Sequence, residues 1–221
     1  MELYKNKVND YFSNTRYDLI SFLPKDGVDS LLEIGAGGGD TLVQVKKLGL
    51  AKEVVGIELM QLAGTNQSNS AIDKFIYGDI ESLGVQVPVR SFDVILCGDV
   101  LEHLVDPWKA VENISKFLKP DGMMIVSCPN VRYYEMFVKV FFKGSFEYTS
   151  YGLFDKTHLR FFCKKDLVKI ISGNGGMTIE SVVPSFKAQK TSKISLLNSF
   201  TLGLFEQFLA LQYIVCAKSK K

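Results

Sequence analysis

Residues 30–40 read Ser-Leu-Leu-Glu-Ile-Gly-Ala-Gly-Gly-Gly-Asp, an apolar run with one carboxylate that breaks into a glycine-dense turn. Such a run makes a buried strand, and the glycines let the chain bend with positive φ and bring its backbone close to a small polar ligand. Glu33 places an anion where a pyrophosphate would be repelled, so the ligand expected here carries an ammonium or sulfonium. A short glycine turn is weak by itself. Its weight comes from what repeats after it.

Short apolar runs alternate with segments of helical period, the pattern of βαβ units and a parallel sheet. Strands are expected at Ser30–Ile34, Glu53–Glu58, Lys74–Tyr77, Phe92–Cys97 and Met123–Ser127, with antiparallel strands at Met177–Pro184 and Gln212–Lys218. Helices are expected over Asn9–Leu23, Asp40–Leu48, Met60–Ser70, Pro107–Leu118 and Asp166–Ser172. The third is rich in Gly, Asn and Ser and reads equally as loop. Lys119-Pro120-Asp121-Gly122 is a turn signal ahead of the fifth strand.

In an open parallel sheet, ligands lie across the carboxyl ends of the strands, and polar residues fall there in turn. The first strand ends in Glu33 and Gly35-Ala36-Gly37. The second ends in Glu58 and Leu59, at a spacing suited to gripping two ribose hydroxyls. The third ends in Gly78-Asp79-Ile80, able to accept from an adenine amino group. The fourth ends in Cys97-Gly98-Asp99-Val100, followed by Leu101-Glu102-His103-Leu104. Helix capping or solvation explains any one of these acids; four consecutive strand ends in agreement point to one nucleoside ligand. Two ligands suit an acid after the second strand, NAD and S-adenosylmethionine. A dinucleotide turn wants a third glycine where Asp40 stands, and little chain remains for a second substrate domain. The methyl donor fits better.

On these motifs the chain resembles class I S-adenosylmethionine-dependent methyltransferases. The likeness rests on Leu32-Glu33-Ile34-Gly35-Ala36-Gly37, Val55-Gly56-Ile57-Glu58, Tyr77-Gly78-Asp79 and Phe92-Asp93-Val94-Ile95. It continues through the block from Asp99 to Pro107 and Leu118-Lys119-Pro120-Asp121-Gly122. A second block, Gly152 to Phe162, is similar to one in a subgroup associated with bacterial polysaccharide and glycolipid synthesis. The resemblance implies a single Rossmann-like α/β domain over residues 1–221, with a doubly wound seven-stranded sheet in order 3-2-1-4-5-7-6 and strand seven antiparallel. It implies a cofactor site of Glu33, Gly35, Ala36, Gly37, Glu58, Leu59, Asp79, Ile80, Cys97, Gly98 and Val100. Arg16, on the first helix, is a candidate for the donor's carboxylate, with a surface arginine as the alternative.

One stretch breaks the rhythm. Residues 131–162 hold eleven of the chain's 26 aromatic residues, which reads as a cap inserted over the mouth of the sheet or as rings completing the core. Aromatic faces also line acceptor pockets. Tyr151, Asp155, His158 and Arg160 are the acceptor-side candidates. Asp155 could orient His158 as a base while Arg160 grips an acceptor phosphate or carboxylate; the alternative is a salt-bridged loop that anchors the cap. His103 is the other candidate base, or else a loop histidine that shapes the site.

The 47% hydrophobic and 23% charged composition is that of a globular protein, and a net charge of +2 does not suggest nucleic-acid binding. The four cysteines form no CxxC pair and no metal-ligand spacing is apparent, so buried thiols in a reducing, cytoplasmic setting are expected. No secretory leader is recognisable at the N-terminus. The apolar stretch Ile194–Ala217 is interrupted by Asn198, Glu206, Gln207 and Gln212. It reads as a core helix over 194–211, or as a surface that leans on a bilayer or partner, which the lysines between Lys187 and Lys193 would favour. The expected activity is methyl transfer to oxygen or nitrogen of a sugar, nucleotide-sugar or lipid-linked glycan. The alternatives are a small-molecule or quinone-type O-methyltransferase and a non-catalytic donor-binding module.

Overall fold

The computed structural model describes residues 14–82, 87–173, 176–188 and 192–220. Seven strands form one sheet: β1 (Val28–Ile34), β2 (Ala51–Glu58), β3 (Lys74–Tyr77), β4 (Phe92–Gly98), β5 (Leu118–Pro129), β6 (Met177–Pro184) and β7 (Gln212–Ser219), in the order 3-2-1-4-5-7-6. The first five run parallel, while β7 is antiparallel to both β5 and β6.

The strands are apolar on both faces because helices cover both sides of the sheet. Side chains alternate across it. Leu31, Val54, Val94 and Leu96 join one core, while Leu32, Val55, Ile95 and Cys97 join the other. Along the chain the helical segments are α1 (Tyr17–Ile20), α2 (Asp40–Lys47), α3 (Pro107–Ser115), α4 (Tyr134–Phe137), α5 (Lys164–Ser172), α6 (Ser185–Ala188), α7 (Ser192–Phe200) and α8 (Glu206–Leu209). α3 starts where Asp106 accepts from the Lys109 N–H at 3.1 Å and Pro107 occupies the first turn. Together these make a ready-made helix start.

Several expected boundaries move. The first helix is confined to α1 among the described residues, with Asn14–Arg16 non-helical; its start at Asn9 lies outside them. The expected helix over Met60–Ser70 is loop except for a single 3-10 turn at Asn66–Ser68. Its short polar side chains hold the backbone instead: Asn69 Oδ1 accepts from the Ala71 N–H, and Gln67 Oε1 from the Leu62 N–H. β5 already pairs at Leu118, and Lys119–Gly122 bulges out of the ladder rather than preceding it, with Asp121 at φ 61°.

The expected core helix over 194–211 is α7 followed by turns and α8, and much of it faces outward. Phe200 is 88% exposed and Leu202 90%. The insert begins and ends at one parallel bridge between Asn130 and Phe162. It carries its own small core of Met136, Leu153 and Phe154, so part of its aromatic content is structural.

Candidate functional site

The carboxyl ends of β1 to β4 enclose a cavity of about 1110 Å³. Of the expected cofactor residues, Arg16, Glu33, Gly35, Ala36, Gly37, Glu58, Leu59, Asp79, Ile80, Gly98 and Val100 line it. Cys97 does not. The strand alternation turns its side chain into the core, where it is 1% exposed and burial pushes its thiol pKa up. That expectation is corrected.

The glycine turn is fastened to its neighbours. The N–H groups of Gly35 and Ala36 both donate to the Ile57 carbonyl, and the Gly37 N–H donates to Glu58 Oε2 at 2.8 Å. Gly35 has φ +68°, and a Cβ there would come within 2.4 Å of the Val100 side chain. At Gly98 a Cβ would meet Arg16 Nη1 at 2.8 Å. Gly35 is required by its positive φ and the close approach, whereas at Gly98 a Cβ would oblige the ends of Arg16 and Leu19 to shift. Beneath the turn, Gln67 Nε2 donates to the Gly37 carbonyl.

Glu33 is 5% exposed, and its Oε2 has no hydrogen-bond partner among the described residues. Burial pushes its pKa up to about 8 against the opposing pull of Thr41 and Arg16. A cationic group arriving beside it would remove that penalty. Glu58 is also raised, first by burial, although the N–H groups of Gly37, Leu59 and Met60 oppose the shift. Its oxygens accept from the Gly37 and Leu59 N–H groups, and a carboxylate oxygen has lone pairs for a second donor such as a ribose hydroxyl. The orphaned acid at Glu33 and the turn that leaves no room for a Cβ at Gly35 fit an adenosyl sulfonium amino acid.

Arg16 is a bridge rather than a surface arginine. It donates twice to Asp18 and once each to Asp99 and Ser127, all at 2.9 Å. Burial lowers its pKa, but Asp99 and Asp18 outweigh that and raise it. Asp99 also accepts from Ser127 Oγ and Gln212 Nε2, and holds φ 55°. A non-glycine residue in that region persists only where its surroundings over-determine it. Asp18, Thr41, Asp99 and Gln212 line the cavity too. Sequence reasoning passed over Asp99 although it stands in the motif. Gln212 had no local signal, because antiparallel pairing brings it in from the far end of the chain.

On the acceptor side only His103 lines the cavity. Tyr151 is 72% exposed on the insert. Asp155 is buried, and its Oδ1 accepts from the N–H and hydroxyl of Thr157. The Glu102 carboxylate stands beside the His158 imidazole, with Nε2 and Oε1 4.0 Å apart. Arg160 donates to the Val105 and Leu159 carbonyls, so it clamps the insert to the loop after β4 instead of reaching into the cavity. The Leu159 and Arg160 N–H groups reinforce this by donating to the Glu102 carbonyl. The His103 and His158 rings meet edge to face, with centroids 4.8 Å apart. The insert thus stands behind His103, and none of its residues lines the cavity.

A family model described as a methyltransferase domain matches residues 7–178. Among curated proteins, the chain is similar to the ubiquinone biosynthesis O-methyltransferase of Cereibacter sphaeroides, 34% identical over 119 residues covering 51% of this chain and 46% of that protein. It is 31% identical over 121 residues to the protein of the same name from Albidiferax ferrireducens, covering 52% and 47%. The matched segment spans a little under half the length of these relatives. Among solved structures, an S-adenosylmethionine-dependent methyltransferase from Mesorhizobium loti aligns with TM-score 0.62 at 17% identity, covering 90% of this chain and 95% of that one. The cyclase SpnF aligns with TM-score 0.61 at 18% identity, covering 92% and 79%. The last likeness shows that the fold alone does not fix the reaction.

Proposed function

Because the chain belongs to the methyltransferase-domain family, whose donor is S-adenosylmethionine, we propose that it methylates a hydroxyl oxygen of a small ring-bearing acceptor of the quinone-precursor type. The observation that carries this reading is one cavity at the strand ends lined by Glu33, Glu58 and Asp79 together with His103. The cavity thereby combines candidates for the cationic, ribose and adenine contacts with a group able to handle a proton.

The donor supplies an activated methyl group on a sulfonium, so the protein's share is mainly alignment and proton handling. Positioning alone is worth at most about 7–11 kcal/mol. Glu33 holds the amino group, Glu58 the ribose hydroxyls, and Asp79 the adenine amino group. Arg16, fixed by Asp18 and Asp99, stands where a donor carboxylate would end. His103 receives the hydroxyl proton, directly or together with Glu102 and His158. Its ring is held by the contact of Nδ1 with the Thr157 carbonyl at 3.1 Å.

A sugar or glycan acceptor is the second reading, favoured by the exposed rings of Tyr148 and Tyr151, which lie outside the cavity lining and offer a separate surface on which a longer glycan could stack. Transfer of labelled methyl from S-adenosylmethionine to a panel of catechols and hydroxyquinols, with nucleotide sugars in parallel, decides between them. Label on the aromatic oxygen that disappears in Glu58→Ala is the expected result. Label on the sugars alone selects the second reading. Tight donor binding without label on either leaves a non-catalytic donor-binding module. No helix among the described residues is long and apolar enough to cross a membrane, and peripheral contact through the exposed residues around Phe200 and Leu202 stays a proposal.

A further inference from the structure

Glu102 is 1% exposed, and its Oε1 has no hydrogen-bond partner among the described residues. A buried carboxylate oxygen left this way is costly. The other oxygen is used: the Cys128 thiol donates to Oε2 at 3.6 Å. What faces Oε1 is the His158 ring, and at 4.0 Å the separation is too long for a hydrogen bond.

The two rings are oriented in the same sense. His103 Nδ1 lies 3.1 Å from the Thr157 carbonyl, and His158 Nδ1 lies 3.3 Å from the Leu153 carbonyl. A carbonyl only accepts, so each Nδ1 carries a proton, and Nε2 is the nitrogen through which each imidazole would ligate an ion. Imidazoles that bind a metal through one nitrogen typically donate the other N–H to a backbone carbonyl, which fixes tautomer and aim. One ligand atom from each of Glu102, His103 and His158 falls within 4.8 Å of the others. Metal–ligand bonds of about 2.0–2.2 Å need those atoms roughly 3–3.5 Å apart, so closure takes about an ångström of side-chain movement.

We propose that Glu102, His103 and His158 form a binding site for one first-row divalent cation at the acceptor end of the cavity. Two imidazoles and one carboxylate are a donor set that leaves coordination positions open. Because His103 lines the cavity, those positions are reachable from it. The role of the ion, though not its binding, rests on the methyl-transfer reading. An acceptor hydroxyl drawn to it would have its pKa lowered. Its proton leaves to water and its electron pair stays on oxygen, which forms the bond to the methyl carbon as the carbon–sulfur pair returns to sulfur. His103 would then serve as a ligand and not as the base. The site also accounts for the insert, which brings His158 back from far along the chain to complete a set that the loop after β4 begins.

The test uses the full chain after chelation and dialysis, titrated with Co2+ and read by visible absorption. S-adenosylhomocysteine binding is measured on the same samples to show that they are folded. One equivalent of Co2+ with bands of a four- or five-coordinate site is expected, weakened about a hundredfold or more by Glu102→Gln or His158→Gln. Should either variant lose donor-product binding as well, X-ray absorption of the wild-type Co2+ protein replaces it. A shell with two imidazoles supports the site; an oxygen-only shell overturns it. Donor-product binding without stoichiometric Co2+ binding also overturns it, and marks the cluster as an imidazolium–carboxylate pair. Co2+ bound without donor product would instead sink the methyl-transfer reading and leave the metal site standing.

Discussion

Glu33 ends β1 with one oxygen facing no donor among the described residues, and its pKa near 8 makes the ligand-free chain hold a proton there at neutral pH. An ammonium group beside it favours the ionised form, so binding should release that proton. At pH 6.5 the donor's own amino group stays protonated. Calorimetry in two buffers of different ionisation heat should therefore count close to one proton released per S-adenosylhomocysteine bound. Glu33→Gln should release none and bind more weakly by about 1.5–3 kcal/mol, the range for a hydrogen bond to a charged group. Equal proton counts for both proteins contradict the assignment. Gly98 makes a second test. Its missing Cβ leaves room for Arg16 Nη1 and the Leu19 side chain, so Gly98→Ala should displace both and cost about 1–3 kcal/mol of stability by overpacking, read from denaturant midpoints.

At the scale of elements, the strands were legible because each is a short apolar run closed by a polar motif, and those motifs are local in sequence. The direction of a side chain was less so. Cys97 stands at the end of a ligand-binding strand, yet the two-residue alternation that aims Leu96 to one face aims Cys97 to the other. The stretch Met60–Ser70 took its loop reading rather than its helical one because Gln67 and Asn69 accept from nearby backbone N–H groups. The Asp106–Pro107 start of α3 was readable, and it is testable. Asp106→Ala removes the cap to the Lys109 N–H and should cost about 1 kcal/mol, seen as a lower denaturant midpoint with an unchanged slope. No change in midpoint would show that Pro107 and the contacts of the Val105 and Asp106 N–H groups with Glu81 suffice.

For the whole molecule, three acids at one end of the sheet, Glu33, Glu58 and Glu102, have raised pKa values with burial as the first cause in each. A group whose folded pKa exceeds its unfolded value stabilises the protein fully below the unfolded value. That contribution is lost as pH rises through the folded one. For Glu33 the window runs from about 4.5 to about 8. The ligand-free chain should thus lose stability across that window in denaturant titrations, and Glu33→Gln should flatten the decline. A midpoint that climbs with pH would show that other groups outweigh this trio. The same long-range arrangement explains what the sequence could not disclose. Glu102 and His103 adjoin each other, but His158 joins them through a folded insert with its own core, and no spacing rule reaches that far. Of the acceptor candidates in the insert, Asp155, His158 and Arg160 make contacts that hold the insert in place.

What these acidic strand ends are proposed to bind is an adenosyl amino acid. Isothermal titration of S-adenosylhomocysteine into the folded chain measures this directly: one site per chain is expected, abolished by Glu58→Ala in a variant that still unfolds cooperatively. No heat of binding across several temperatures, with no rise in thermal midpoint on adding the nucleoside, would contradict it.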